Sequence, residues 1–394
     1  MPHVIENTPY EVYVTGTFYE MGQQYVTQLG PRILKQLEVI SQDFYLADDA
    51  QRQKFEQTVQ GVIGVFLKNN LYPNKVLELL KGMAESDFAK ENKLSLEDFI
   101  RLDLIVFLST FNPVMMPEML IPQHCSYFAL LQDGKVGSGR NFDWTIKPLH
   151  ALNAYPVIAH FTSTDAAYPQ SVTTIGHTGA ISVFTAFNSA GLSFSINSAN
   201  LTMDLKISGG MRLDRPYYFA YFFEQLFKLG TFTALLQTVQ TTPGGYPVIT
   251  TIGGPEAQDM ASIEVCPIDA ERPVPIAFIN KVRSFGSQNV MRPEYVITAA
   301  GYAQTNLLHC TGWDAYLGFT TGNNLVAPGG LSVPLSNLLK KDFKVFIKLL
   351  SLIPLCTKNK RFCSRSRVKH MRSSTGGCPK YASHPVQCNK LVCA

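Results

Sequence analysis

The sequence predicts an α+β fold in which helices pack in layers against antiparallel strands. The first 120 or so residues have mostly helical apolar spacing, whereas the chain from Cys125 onward consists of short alternating segments separated by turn signals. Helical spacing returns as one later block, over residues 215–240. Two helical blocks around several hairpins favour antiparallel sheets over alternating βαβ units.

The N-terminal segment begins with a predicted strand over residues 9–17. Helical spacing then predicts four helices, at residues 19–44 with a Gly-Pro interruption at 30–31, 51–69, 75–84 and 95–111. Ser95 and Asp98 have the spacing of a capping box, with Asp in place of the usual Glu. Prolines then interrupt the chain. Residues 1–124 are therefore predicted to form a mostly helical N-terminal segment.

Strands dominate the chain from Cys125. Residues 127–132 and 135–141 flank Asp133-Gly134, a strong hairpin signal. Further strands are predicted at residues 156–162, 172–176, 180–187, 192–197, 246–252, 262–266, 275–280 and 294–298, with helices at 215–229 and 231–240 between them. We expect residues 125–339 to form the core of the protein.

Composition excludes several classes of protein. The chain has 394 residues, of which 46% are hydrophobic and 16% charged, so it has ample material for a core and is not disordered. No run of 18 apolar residues is present, which argues against a spanning helix. No basic and apolar leader is visible at the N-terminus. The cytoplasm is the default location on this pattern, and a lysosomal or exported protein stays open.

Residues 340–394 form a basic tail that differs from the rest of the chain. The tail holds 13 of the 34 basic residues, one of the 30 acidic residues and five of the eight cysteines. Its cysteines include no C-x2-C pair, so neither a metal site nor a cofactor is predicted. A flexible, solvated tail is the leading interpretation. Contact with a membrane surface is the alternative, and no nucleic-acid partner is predicted.

A group of chemically active residues surrounds the predicted hairpin. If Asp133-Gly134 is a two-residue turn, Cys125 faces Phe142 and Tyr127 faces Arg140, which brings Asp143 beside Cys125. A guanidinium near a thiol favours the nucleophilic thiolate. If Cys125 becomes an N-terminus, its own α-amino group, with an ordinary pKa of roughly 7.7–8.0, is a base near neutral pH.

The segment from Cys125 to Gly-Arg-Asn-Phe-Asp143 resembles the N-terminal-nucleophile hydrolases of the choloylglycine hydrolase superfamily. Two other segments support the resemblance. Gly16-Thr-Phe-Tyr-Glu-Met-Gly22 is similar to the opening of the acyltransferase-like branch, and the segment from Val248 through Gly254 to Glu264 is similar to a hairpin of the acid ceramidase branch, with Glu264 where Arg is usual. The resemblance covers roughly residues 9–330.

The resemblance implies a four-layer αββα sandwich and a proenzyme that cleaves itself between His124 and Cys125. It implies that Cys125 is the nucleophile, that Arg140 supports the thiolate and the acyl group, and that Asp143 binds the new α-amino group. Residues 1–124 are then a propeptide or an α chain. The oxyanion hole uses asparagines in this family, and the matching positions are Asn197 and either Asn306 or Asn324, of which Asn306 is favoured.

The leading hypothesis is a self-processing cysteine amidohydrolase that cleaves a linear amide between a hydrophobic acyl group and an amine. The substrate is a small-molecule N-acyl amide. An acyltransferase that uses the same acyl-enzyme is one alternative. An inactive relative that binds a membrane or partner through its basic tail is another, since no Arg occurs between Arg292 and Arg361, where acid ceramidases place one.

Simpler interpretations of the same residues stay open. Cys125 also fits an ordinary buried cysteine, because cysteine is among the most buried residue types. Arg140 and Asp143 also fit a surface ion pair, and Asn197 and Asn306 fit residues of a turn or strand end.

Overall fold

The computed structural model describes residues 9–44, 49–110, 123–132, 135–144, 154–198, 217–242, 244, 248–256, 259–265, 281–283, 301–304 and 392–393. Seven helices lie within these ranges, α1 (Phe18–Phe44), α2 (Asp49–Lys68), α3 (Asn74–Ala84), α4 (Asp87–Glu91), α5 (Leu96–Thr110), α6 (Tyr218–Lys228) and α7 (Phe232–Thr241). The strands are β1 (Tyr10–Gly16), β2 (Gln123–Gln132), β3 (Lys135–Trp144), β4 (Pro156–Ser163), β5 (Ser171–His177), β6 (Thr185–Asn188), β7 (Ser193–Ser198), β8 (Val248–Gly253), β9 (Met260–Val265), β10 (Lys281–Arg283), β11 (Gly301–Gln304) and β12 (Val392–Cys393).

The strands form two sheets. The large sheet has eight strands in the order β1-β4-β5-β6-β7-β8-β9-β10, and the small sheet has four in the order β11-β2-β3-β12. Each described pairing is antiparallel except that of β1 with β4, which is parallel. The coarse prediction of helices packed on largely antiparallel sheets is therefore confirmed, and the four-layer arrangement stays a prediction.

One face of the large sheet is covered by helices. Alternate residues of its strands are buried on this face, where Tyr25 of α1 stacks on Phe161 of β4 and Phe222 of α6 stacks on Phe194 of β7. Helix α3 packs against α1, α5 and α6. The aromatic helix α6 therefore belongs to the core, as burial of Phe222, Phe223 and Phe227 indicates.

The N-terminal residues belong to the large sheet as well as to the helices. Strand β1 pairs with β4 over its full length, from Tyr10 opposite Val157 to Gly16 opposite Ser163. Val12 and Val14 of β1 are fully buried under α1. The division into residues 1–124, 125–339 and 340–394 stays a prediction, but the first of these segments contributes a strand to the sheet of the second.

Helix α1 differs from its prediction at Pro31. The Gly-Pro pair was expected to interrupt the helix, yet α1 runs continuously from Phe18 to Phe44 with Pro31 inside it. A proline removes one backbone donor and still permits a helix when packing on both sides holds the chain. Here Leu29 and Ile33, on either side of the Gly-Pro pair, are fully buried in the core. The ring of Phe88 packs directly on Gly30 and leaves no room there for a side chain.

Strand β6 is shorter than its prediction. The sequence predicts a strand over residues 180–187, but β6 covers only Thr185–Asn188. The reason is Asp103 of α5, whose carboxylate accepts hydrogen bonds from the backbone N–H groups of Ile181 (2.7 Å) and Ser182 (2.6 Å). These two N–H groups bind a side chain instead of a neighbouring strand, so the segment remains irregular although Ile181 is fully buried.

Other predicted elements have mixed outcomes. The capping box at the start of α5 is confirmed, because Asp98 accepts from the backbone N–H of Ser95 (2.8 Å) and Ser95 accepts from that of Asp98 (3.2 Å). Helix α4 was not predicted. The predicted strands at 275–280 and 294–298 lie outside the described residues, as does most of the tail. Among the helices that the structure describes, none is long and apolar enough to cross a membrane.

Candidate active site

The hairpin of β2 and β3 has the predicted register. Cys125 pairs with Phe142, Tyr127 pairs with Arg140, and Gln132 pairs directly with Lys135 across the Asp133-Gly134 connection. A two-residue connection fixes this register, because each residue of β2 then has one partner on β3. His124 pairs with Asp143. The hairpin therefore places Cys125 opposite Phe142. Along β3, Asp143 is one residue from that position in one direction and Arg140 is two residues from it in the other.

The bond between His124 and Cys125 lies inside a continuous strand. Strand β2 begins at Gln123, which pairs with Trp144, and it runs through His124 and Cys125 without a break in the pairing. The proposed new N-terminus is thus already held opposite Phe142 in the intact chain.

Asn197 lies near the end of β7 on the large sheet. It pairs with Ile249 of β8, and Ile249 pairs in turn with Glu264 of β9. Asn197 is 1% exposed, and neither its amide oxygen nor its amide nitrogen has a hydrogen-bond partner within the described part of the chain. Buried polar side chains are normally hydrogen-bonded, so an unpaired amide in this position is a candidate for binding a ligand.

The small sheet meets the large sheet through β2 and β7, whose Cα atoms approach within 8 Å. Phe222 of α6 occupies the helix side of β7 through its contact with Phe194. Asn197 belongs to the other side of β7 by alternation along the strand. The strand that holds Cys125 and the strand that holds Asn197 come together in this way.

Two predicted site residues lie outside the described residues. These are Asn306 and Asn324, the alternatives for the second asparagine. Strand β11, which ends at Gln304, pairs with β2 so that Gln304 is opposite Tyr127. The chain thus reaches the neighbourhood of Cys125 two residues before Asn306. At the other edge of the small sheet, β12 pairs Val392 with Arg140.

The Gly16–Gly22 segment, which resembles a family motif, has a structural role here. Glu20 accepts hydrogen bonds from the backbone N–H (2.8 Å) and the hydroxyl (2.9 Å) of Thr17, which caps α1. These bonds lower the pKa of the Glu20 carboxyl. Gly16 has a φ of +143°, and Gly22 lies against the backbone of Leu79 on α3. The motif therefore caps the start of α1 and allows α1 to pack closely against α3.

Sequence reasoning missed Ser195 and Asp103. The hydroxyl of Ser195, two residues before Asn197 on β7, is buried without a hydrogen-bond partner among the described residues. Alternation of Ser193, Ser195 and Asn197 with Phe194 and Ile196 predicts a strand with one polar face, but it does not predict that this face is buried. No local signal marks Asp103, which lies in a helix and binds a segment 78 residues away.

Metal binding has no support among the described side chains, since no three His, Cys, Asp or Glu residues there form a group that fits a metal ion. Comparisons with known proteins add little. No protein-family model matches the chain, and no curated protein matches it. Among solved structures it is similar to a Caenorhabditis elegans ortholog of N-acylethanolamine-hydrolyzing acid amidase, at 15% identity and a TM-score of 0.37, over 59% of this chain and 88% of that one. A likeness at this level does not by itself indicate a function.

Proposed function

We propose that this chain is a self-processing cysteine amidohydrolase. It cleaves its own backbone between His124 and Cys125, and it then hydrolyses a linear amide between a hydrophobic acyl group and an amine through a thioester on Cys125. The observation that carries the proposal is the register of the β2–β3 hairpin, in which Cys125 pairs with Phe142 and Arg140 follows two residues along β3.

The register supports separate roles for Arg140 and Asp143. Paired positions of antiparallel strands share a face, and successive positions alternate. Positions 125, 142 and 140 therefore belong to one face of the hairpin, and positions 124 and 143 belong to the other. Arg140 is then assigned to the side of the thiol, where its charge favours the thiolate. Asp143 is assigned to the main-chain nitrogen of Cys125, which becomes the α-amino group after cleavage.

Asn197 is the proposed oxyanion donor. Its amide is buried and unpaired in the described part of the chain, on a strand that approaches β2. A donor that is held in place before the reaction stabilises the negative charge of the tetrahedral intermediate, and such donors are worth roughly 3–4 kcal/mol each. Asn306 is the proposed second donor. The pairing of Gln304 with Tyr127 favours it over Asn324, which is 18 residues further along the chain than Asn306.

The reaction uses groups of the chain and water. The Cys125 thiolate attacks the amide carbonyl, and Asn197 and Asn306 donate hydrogen bonds to the oxyanion. The carbon–nitrogen bond breaks as the α-amino group of Cys125 passes a proton to the leaving amine. Water then attacks the thioester and releases the carboxylic acid and the thiol. If an amine attacks instead of water, the same site is an acyltransferase.

The first test measures hydrolysis of a fluorogenic long-chain N-acyl amide by the full chain. The second measures intact mass after the protein reacts with a probe that acylates thiols. Wild type and Cys310→Ala are expected to hydrolyse the amide and to gain one acyl group on Cys125. Cys125→Ala is expected to do neither. Hydrolysis by Cys125→Ala at the wild-type rate would contradict the proposal.

A second arm separates hydrolysis from acyl transfer. Added hydroxylamine is an amine that competes with water for the thioester. Attack of hydroxylamine on a thioester at Cys125 breaks the carbon–sulfur bond, frees the thiol and yields the hydroxamic acid of the acyl group as a second product, at the expense of the free acid. The ratio of the two products shows which acceptor the site prefers.

A further inference from the structure

Strand β1 lies at one end of the large sheet, and β4 is its neighbour among the described strands. The main-chain groups of a strand alternate in direction, so every second residue of β1 presents its N–H and C=O groups at the outer edge of the sheet. Such an edge is a template for pairing with a strand of another chain. The sequence of β1 favours this pairing, because it is rich in valine, tyrosine and threonine and holds one charged residue, Glu11.

Glutamine side chains of α1 bind this outer edge. The Gln24 amide accepts a hydrogen bond from the backbone N–H of Thr15 (3.0 Å) and donates one to the carbonyl of the same residue (2.6 Å). The Gln28 amide donates to the carbonyl of Tyr13 (2.8 Å). A neighbouring strand would bind these same main-chain groups, so the two amides take the place of a strand.

The glutamines reach the edge because helix and strand have nearly matching repeats. Four residues of a helix rise about 6.0 Å, and two residues of a strand span about 6.7 Å. The side chains of α1 that bind the edge are four residues apart, and their partners are two apart: Glu20 binds Thr17, Gln24 binds Thr15, and Gln28 binds Tyr13. This stripe of α1 therefore follows the C-terminal half of β1.

Aromatic side chains are exposed beside the same edge. Among the described residues, the large hydrophobic side chains that are exposed are those of Tyr10 (43%) and Tyr13 (61%), both on β1. Tyr13 stacks on His160 of β4 at 4.3 Å, so one face of its ring is covered. A strand added to the open edge would pack beside both tyrosines, and burial of their apolar surface would stabilise the pairing.

We propose that Gln24 and Gln28 close the outer edge of β1 and thereby prevent it from pairing with the same strand of a second copy of this chain. A second copy is the partner that fits, because two identical edges pair in antiparallel orientation about a two-fold axis. The inference is independent of the proposed function, since it concerns association of the large sheet and does not involve the hairpin that holds Cys125.

The experiment measures mass in solution by size-exclusion chromatography with light scattering. Gln24→Leu/Gln28→Leu keeps side chains of similar size and helix propensity but removes their hydrogen bonds to β1. This variant is expected to have twice the mass of wild type or more at the same concentration. Gln53→Leu/Gln57→Leu on α2 is the matched control, because these glutamines are exposed and also four residues apart, and it is expected to keep the wild-type mass.

A triple variant tests whether association uses the edge. The carbonyl of Tyr13 binds Gln28 at the outer edge, so the N–H of Tyr13 faces outward as well. Proline lacks this donor and is tolerated on edge strands at such positions. Adding Tyr13→Pro to Gln24→Leu/Gln28→Leu is expected to restore the wild-type mass. A double variant with the mass of wild type, or a triple variant that stays associated, would overturn the proposal.

Hydrogen exchange on wild type tests the closed edge without any substitution. The backbone N–H groups of Thr15 and Thr17 donate to Gln24 and Glu20. Each is therefore expected to exchange at least about tenfold more slowly than an unprotected amide, the effect of one hydrogen bond. Exchange of the Thr15 N–H at the rate of an unprotected amide would overturn the proposal, whether or not the variants fold.

Discussion

At the scale of single residues, Asp103 ties the N-terminal helices to the large sheet. Its buried carboxylate accepts hydrogen bonds from the backbone of Ile181 and Ser182, from the Ser182 hydroxyl, and from the hydroxyl of Tyr72 (2.9 Å). Burial raises its pKa, and these bonds act in the opposite direction. One side chain thus holds the segment between β5 and β6 in place.

Replacing Asp103 with Ala is expected to lower the free energy of unfolding by at least ~3 kcal/mol, because two backbone N–H groups and two hydroxyls lose their acceptor while buried. Urea unfolding followed by circular dichroism measures the change. Glu97→Ala, an exposed position on the same helix, is the control and is expected to stay within ~0.5 kcal/mol of wild type. Equal midpoints for the two variants would contradict the assigned role.

His177 makes stability depend on pH. The ring is fully buried against the carbonyl of Leu102 (3.3 Å), and burial lowers the pKa of His177 to about 4. In the unfolded chain His177 has its ordinary pKa near 6.5. Between pH 6.5 and 4 it therefore binds a proton in the unfolded chain but not in the folded chain. Stability falls as pH decreases through this window, by about 3 kcal/mol in all. The raised pKa of Asp103 acts in the opposite sense.

Comparison with a variant isolates the contribution of His177. Wild type and His177→Gln are unfolded in urea at pH 7, 5.5 and 4.5, and the difference between their free energies of unfolding is plotted against pH. We expect the free energy of unfolding of His177→Gln to increase relative to that of wild type as pH falls. A difference that does not change with pH would show that His177 is charged in the folded chain or is solvated.

At the scale of elements, the crossing of α1 and α3 depends on two glycines. A Cβ atom at Gly22 would collide with the carbonyl oxygen of Leu79, and one at Gly82 would collide with the carbonyl oxygen of Tyr19. The helix backbones touch directly at this crossing. Glycine is otherwise a poor helix former, so its presence at both contact points is explained by the close approach.

Gly22→Ala and Gly82→Ala are each expected to destabilise the fold by ~1–3 kcal/mol, the usual cost of overpacking. Gly61→Ala and Gly64→Ala on α2 are matched controls, since nothing lies within 4 Å of the added methyl group. Those two are expected to stabilise by ~0.5–1 kcal/mol through helix propensity. Thermal unfolding of the four variants compares them, and a gain in stability at Gly22 or Gly82 would contradict the close approach.

Local chemistry decides which elements the sequence predicts. The α5 cap and the β2–β3 register were predictable because Ser95, Asp98 and Asp133-Gly134 act on their neighbours in the chain. The strand over residues 180–187 was predicted too long because its N–H groups bind Asp103, far away in sequence. Pro31 was predicted to interrupt α1, and tertiary packing overrides its local preference.

At the scale of the whole molecule, the described residues of the N-terminal segment, 9–44, 49–110 and 123–124, are built into the fold. Strand β1 pairs with β4, Asp103 holds the β5–β6 segment, and the hydroxyl of Tyr25 accepts from the backbone N–H of Gly179 (3.2 Å). Removal of these residues would expose the buried helix face of the large sheet. The sequence left open whether they are a propeptide or an α chain, and these contacts favour an α chain that stays bound after cleavage.

Native size-exclusion chromatography tests this assignment. The two chains produced by cleavage are expected to elute together and to separate in 6 M guanidinium. Residues 125–394 produced alone are expected to be insoluble, whereas a chain that lacks only residues 340–394 is the control for truncation as such. A soluble, active 125–394 chain would identify the N-terminal segment as a dispensable propeptide.

The part of the candidate site that lies on one hairpin was predictable from the sequence, whereas the approach of the two sheets was not. Cys125, Arg140 and Asp143 belong to one hairpin, so their register follows from a two-residue connection. That β2 approaches β7 depends on the packing of two sheets, which no local pattern encodes. The unpaired Ser195 hydroxyl emerges only when the partners of every buried polar atom are known.

The central claim is that Cys125 becomes the N-terminal nucleophile, and intact mass with N-terminal sequencing of the purified protein tests it most directly. Cleavage between His124 and Cys125 predicts one chain of 124 residues and one of 270 residues that starts Cys-Ser-Tyr. Cys125→Ala is expected to remain a single chain of 394 residues. A wild-type chain that is folded and stays uncut under conditions from neutral to mildly acidic pH would contradict the claim.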